Sequence, residues 1–143
     1  MNRESAREKF SEYIKEKNLR YTKQREQILD AFFSFDRHFT IEELYAKLKK
    51  NDVDVGYATL YRTLKLIREC GLSGMIKLED GKAKWEKTFG IEHHDHLICM
   101  ECGRIIEVKS EKIEQLQNKL AAENRFTPVR HKLEIYGICA ECQ

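Results

Sequence analysis

Residues 93–102 read HHDHLICMEC, and a second Cys-x-x-Cys closes the chain at Cys139 and Cys142. Thiolate, imidazole and carboxylate are the groups with which proteins hold transition metals. Each cysteine pair, Cys99 with Cys102 and Cys139 with Cys142, fits a tight knuckle that aims two sulfurs at one point. Four thiolates together complete a tetrahedral zinc site and leave no coordination position open, so the ion they hold is structural. A redox dithiol or ordinary buried cysteines would explain one pair; two pairs of matched spacing favour the metal. Cys70 stands outside both pairs and reads as a small core residue.

The histidines call for different chemistry. In an extended strand side chains alternate, so His94 and His96 point one way while His93 and Asp95 point the other, and one tetrapeptide supplies two half-sites. Imidazole and carboxylate without sulfur suit exchangeable ferrous iron, manganese or zinc at higher coordination number. Spacing recruits no further ligands: single residues such as His38, His131, Glu107 and Glu114 are more often solvated than bound to metal.

The 36 residues between the cysteine pairs exceed the spacing of a zinc ribbon, so a small subdomain must lie there. RIIEV reads as a strand. A helix follows from about Ser110 to Asn124 with Ile113, Leu116 and Leu120 inward, and HKLEIYGI returns as a strand. Upstream, Phe10, Tyr13, Ile14 and Lys17 follow helical spacing up to a stop at Asn18. A second helix begins after Thr22, with Ile28, Leu29, Phe32 and Phe33 on its buried stripe. Thr40 and Glu43 form a capping box ahead of Leu44, Tyr45 and Leu48. The fourth helix lies between Gly56 and Gly71 and turns Leu60, Leu64 and Ile67 inward. Two strand-like segments then flank Asp80-Gly81, a hairpin signal, with Trp85 in the core of the ribbon. Helices followed by a β-ribbon fit a winged helix-turn-helix, whose second motif helix enters the major groove. On that reading Arg20, Lys23 and Arg25 are placed for phosphate or the minor groove, Thr59 lies off the buried face, and Tyr61 and Arg62 can reach base edges; Arg68 is a solvated face residue.

Charge is unevenly spread. Residues 1–90 carry 19 basic against 15 acidic side chains, whereas residues 91–143 carry 7 against 9, so the anion-seeking half comes first. With 143 residues the chain suffices for one ordinary domain or two small ones. No signal peptide or membrane span is readable, which implies a cytoplasmic protein whose cysteines stay out of disulfides.

GYATLYRTLKLIRECGL, HHDHLICMECGRIIEV and the second Cys-x-x-Cys, in that order, resemble the ferric uptake regulator family over nearly the whole chain. The resemblance implies an α+β chain: a winged-helix DNA-binding domain over residues 1–88, then a small α/β metal-binding dimerisation domain over residues 89–143. It also implies a homodimeric repressor that binds palindromic double-stranded operators when a regulatory divalent metal closes the hinge between domains. Residue by residue, the implied regulatory ligands are His38, Glu86, His94, His96 and Glu107, and a second site is implied at His93, Asp95, Glu114 and His131. Arg20, Tyr61 and Arg62 are the implied DNA contacts. Structural zinc and regulatory ferrous iron are the implied metals, with manganese or zinc as possible substitutes for iron. Glu86 and Glu107 stand where peroxide-sensing relatives carry aspartate and so favour iron sensing. YTKQR, without the proline common in iron regulators, and the tail LEIYGICAEC lean toward the peroxide branch; zinc or manganese sensing ranks behind both.

Two other classes compete. A metalloenzyme would use the His/Asp/Glu cluster to activate water, but no general acid or base is evident beyond the presumed ligands, so a non-enzymatic role is expected. A zinc-stabilised interaction module that never meets DNA would leave Tyr61 and Arg62 without a task.

Overall fold

The computed structural model describes residues 3–143, which cluster into two compact units, one ending at Glu92 and the other spanning His93–Gln143. Helices α1 (Arg3–Glu16), α2 (Lys23–Phe33), α3 (Ile41–Lys50) and α4 (Tyr57–Glu69) build the first unit with the antiparallel hairpin of β1 (Ser73–Lys77) and β2 (Ala83–Lys87). Its core gathers one face of every helix: Phe10 and Ile14 from α1, Ile28, Leu29 and Phe32 from α2, Leu44 and Leu48 from α3, and Leu60, Leu64 and Ile67 from α4. Trp85 joins them from the hairpin, and Cys70 is buried at the end of α4, where desolvation pushes its thiol up to about 11.

The helix boundaries follow from local chemistry. Asn18 turns the chain after α1 with φ +55°, a conformation that asparagine tolerates better than most residues. Thr22 caps α2 through its hydroxyl, which accepts from the Arg25 amide. At α3 the capping box is complete: the Thr40 hydroxyl accepts from Glu43 N–H, and the Glu43 carboxylate accepts from Thr40 N–H at 2.8 Å. Thr40→Ala is therefore expected to cost about 1 kcal/mol in urea denaturation. Arg37, and then the Thr40 amide, hold the Glu43 carboxyl below its ordinary range. The stability it contributes is present above its unfolded pKa and fades as pH falls through the depressed one.

The hairpin loop spans five residues rather than the two-residue turn that Asp-Gly suggests. Gly81 alone takes a positive φ, of 80°, and Leu78 N–H closes the loop onto Lys82 C=O at 2.7 Å. Beyond β2, Thr88 N–H donates to Leu72 C=O, and Phe89 packs against the core of the first unit.

In the second unit a three-stranded sheet has the order β4-β3-β5: β3 (Asp95–Cys99) pairs antiparallel with β4 (Ile105–Val108) and parallel with β5 (Glu134–Gly137). Helix α5 (Glu111–Glu123) connects β4 to β5. The expected inward face of α5 is not found. Leu116 is 65% exposed and Leu120 63%, no residue of the helix is buried, and of the three expected inward residues only Ile113 is half covered. Helical period reports that an apolar face exists, but not that the same chain covers it. Among the described residues no helix is long and apolar enough to cross a membrane.

Candidate metal centres and nucleic-acid surface

The sulfur cluster forms where two knuckles meet at one end of the sheet. Gly103, with φ +71°, lets the chain double back so that its N–H reaches Cys99 C=O at 2.9 Å. Cys142 N–H likewise donates to Cys139 C=O at 3.0 Å. The parallel pairing of β3 with β5 sets Cys99 opposite Gly137, and Met100 N–H donates to Gly137 C=O at 2.8 Å, which carries the second knuckle to the first. An Arg104–Glu141 ion pair at 2.7 Å ties the two knuckles together. As a result the four sulfurs of Cys99, Cys102, Cys139 and Cys142 lie within 4.8 Å of one another, and Cys102 and Cys139 are 3.8 Å apart. Zinc–sulfur bonds of about 2.3 Å place tetrahedral sulfurs about 3.8 Å apart, so the donor set fits that ion. Backbone N–H groups of Cys102 and Cys139 draw the Cys99 thiol down to about 6, which favours the thiolate a metal requires; Cys142, donating to neighbouring sulfurs, is pushed up to about 12.

A second cluster surrounds one side of HHDH. His93 Nε2 is 3.1 Å from Asp95 Oδ1 and 3.5 Å from Glu114 Oε1, and His131 Nε2 lies 3.1 Å from that same Glu114 oxygen. Ligands held at about 2.0–2.2 Å by one ion are separated by comparable distances, so these four residues also fit a metal. Asp95 is 2% exposed, and a carboxylate so far from water requires positive compensation.

His94 and His96 turn to the other side, their rings 4.8 Å apart, with Glu107 Oε1 3.7 Å from His94 Nε2. Strand register explains the grouping, because His96 pairs directly with Glu107 across β3 and β4. In the first unit His38 Nε2 sits 3.0 Å from Glu86 Oε2. A bridge between Phe39 and Trp85, with N–H···O distances of 2.9 and 2.7 Å, brings the two together by stitching the start of α3 to β2. Gly74 pairs with Glu86 in the hairpin and leaves the space beside that carboxylate, where a Cβ would meet Oε1 at 3.0 Å.

The basic residues converge on a cleft of about 300 Å³ between the start of α2 and α4, lined by Arg20, Arg25, Thr59 and Arg62 together with Thr22, Gln24 and Thr63. Arg25 donates to the Arg20 carbonyl, fixing the turn that carries Arg20. Three guanidinium groups and several hydroxyls in one cleft make a natural seat for a phosphate group. Lys23 lies outside this lining, exposed on the first turn of α2, and Tyr61 is 60% exposed on α4. Sequence reading missed Gln24, whose amide donates to Asp54 C=O at 2.9 Å and so anchors α2 to the segment entering α4. It also missed the Arg104–Glu141 clamp; nothing in local spacing signals either contact.

Four helices and a wing, with a cationic cleft on one unit and clustered thiolate, imidazole and carboxylate donors on the other, define a winged-helix protein built to carry metal. The ferric uptake regulator family matches residues 16–136, and the chain belongs to it. A ferric uptake regulation protein of Campylobacter upsaliensis is 41% identical over 137 residues, which cover 94% of this chain and 87% of that protein. Among solved structures, the Helicobacter pylori ferric uptake regulator, described as having three functional metal binding sites, superposes with a TM-score of 0.87 at 27% identity, covering 100% of this chain and 95% of that one. The regulator of Francisella tularensis, solved with iron, gives 0.75 at 33% identity over 87% and 94% of the two chains.

Proposed function

We propose that this chain is an iron-responsive transcriptional regulator, a repressor that binds palindromic operator DNA as a homodimer in the cytoplasm. Residues 1–88 serve as the DNA-reading domain and residues 89–143 as the metal-binding and dimerising one. The observation that carries this reading is the division of oxygen and nitrogen donors: His38 and Glu86, paired at 3.0 Å, belong to the winged helix, while His94, His96 and Glu107 belong to the second unit. A ligand set split in this way makes metal occupancy a conformational signal.

Bound ferrous iron would supply coordinate bonds that only the arrangement uniting both half-sets completes. His38 and Glu86 would then tie the winged helix to the second unit, and in a two-fold dimer this would set the separation of the two α4 helices to match successive half-sites. A near-complete switch needs a preference of roughly 5 kcal/mol for the closed form. The relatives' names and the iron in the Francisella structure support iron as the effector. Raw affinity cannot select it, because zinc binds such donors more tightly, so availability in the cell also decides. The sulfur cluster takes structural zinc, and His93, Asp95, Glu114 and His131 form an additional metal site.

His96→Ala tests the reading. Gel shifts with and without added ferrous iron or manganese are expected to show that the variant loses most of the metal-dependent gain in DNA affinity while keeping its zinc; an unchanged gain would reject the split site. The exposed Leu116 and Leu120, with Ile106 and Ile135 also exposed on the strands, support a second copy as the cover for the sheet unit. Leu116→Asp is expected to raise the dimer dissociation constant by at least about tenfold in sedimentation, since burying each leucine contributes roughly 1.5–3 kcal/mol.

A further inference from the structure

Helix α4 starts from Gly56, whose lack of a side chain leaves its first turn uncapped and open. The residue that follows is a tyrosine. The buried face of α4 is complete without it, consisting of Leu60, Thr63, Leu64 and Ile67, and Tyr57 is 45% exposed. Its ring is nevertheless not loose: it packs at 5.1 Å and 51° on Tyr45 of α3, a partly buried residue at the edge of the core. One side of the ring is thus braced by Tyr45 and its hydroxyl lies beside Glu42, while nearly half of the residue stays exposed. Tyr61, 60% exposed, follows at i+4 and therefore lies on the same face one turn along.

Residues at the start of a recognition helix are those that reach base edges. We infer that Tyr57 is a specificity-determining residue that contacts a base edge in the major groove, next to the one read by Tyr61. The inference rests on the proposed DNA-binding role of α4. A flat ring with an apolar edge suits the thymine 5-methyl group, and bracing by Tyr45 means that little side-chain freedom is lost on contact. Side chains four residues apart on a helix are about 5–6 Å apart at Cβ, against 3.4 Å per base step, so the two tyrosines read positions roughly one to two base pairs apart.

The test is selection from a random duplex library by the manganese-loaded full chain, comparing wild type, Tyr57→Ala, Tyr57→Leu, Tyr61→Ala and Arg62→Ala, with melting temperatures measured alongside. Tyr57→Ala is expected to lose its preference at one position in each half-site, one to two pairs from the position relaxed in Tyr61→Ala. Affinity for the wild-type duplex should fall roughly tenfold per half-site, with little change on scrambled DNA. Tyr57→Leu keeps an apolar cover on Tyr45 and guards against a simple folding defect; it should change the preferred base at that position without changing the melting temperature. An unaltered preference in both Tyr57 variants while Arg62→Ala loses binding overturns this inference and leaves the DNA-binding reading standing. A loss equal on all sequences, with a shallower salt dependence, makes Tyr57 a phosphate contact and also overturns it. If Arg62→Ala selects and binds as wild type does, the DNA-binding reading of α4 fails, and this inference fails with it.

Discussion

Cys99→Ser is expected to unfold the second unit and abolish the proposed dimer, the largest effect of any single substitution considered. Three of the four sulfurs would remain, but serine is a poor zinc ligand at neutral pH. Cys99 is also the most tightly embedded of the four, 4% exposed and accepting the Cys139 amide through its sulfur at 3.3 Å. Structural zinc contributes roughly 10–16 kcal/mol in zinc-finger peptides, as much as the entire stability of an ordinary domain. The second unit has little to offset such a loss, because α5 buries no residue. Metal analysis should show zinc absent from the variant, and circular dichroism should show retained helix from the first unit, whose core contains none of the four sulfurs. Stripping zinc from the wild-type chain with a strong chelator should give the same product. A variant that still dimerises without zinc would reject a structural role for the cluster.

Arg62→Ala is expected to reduce operator affinity more than any other change in the first unit. Arg62 lines the cationic cleft with Arg20 and Arg25, and its guanidinium lies 3.5 Å from the Thr59 hydroxyl, which orients it along the exposed side of α4. A specific arginine contact is worth about 1–3 kcal/mol, and a two-fold dimer loses it twice, so affinity should fall at least about 30-fold. Zinc content should be unchanged, since the cleft and the sulfur cluster belong to different units, and metal affinity too, since Arg62 is not among the proposed ligands. Titration of a fluorescent operator duplex at fixed salt measures the effect; wild-type affinity would remove α4 from the DNA contact.

Features set by local chemistry were legible in the sequence. The Thr40–Glu43 capping box, the stop at Asn18, the cap at Thr22 and the inward stripe of α4 each depend on residues within a few positions of one another. The two-sidedness of HHDH is equally local, because a strand repeats every two residues. Partners brought from afar were not legible from spacing. Glu107 reaches His94 through strand register, Glu114 comes from a helix and His131 from the segment before β5, and only resemblance named them in advance. The Phe39–Trp85 bridge that unites His38 with Glu86 has no local signal at all. The error on α5 has a related cause: Leu116 and Leu120 mark an apolar face, but what covers it lies outside the pattern of one chain.

The parallel alignment of β3 with β5 also bears on how the molecule is made. Thirty-six residues separate Cys102 from Cys139, so a ribosome adding about 5–20 residues per second needs roughly 2–7 seconds to deliver the second knuckle after the first. By then the winged helix has all its elements and can fold as they emerge. The first two thiols must wait, still open to oxidants and to competing ions, so redox state and free zinc during synthesis bear on how much of each batch matures.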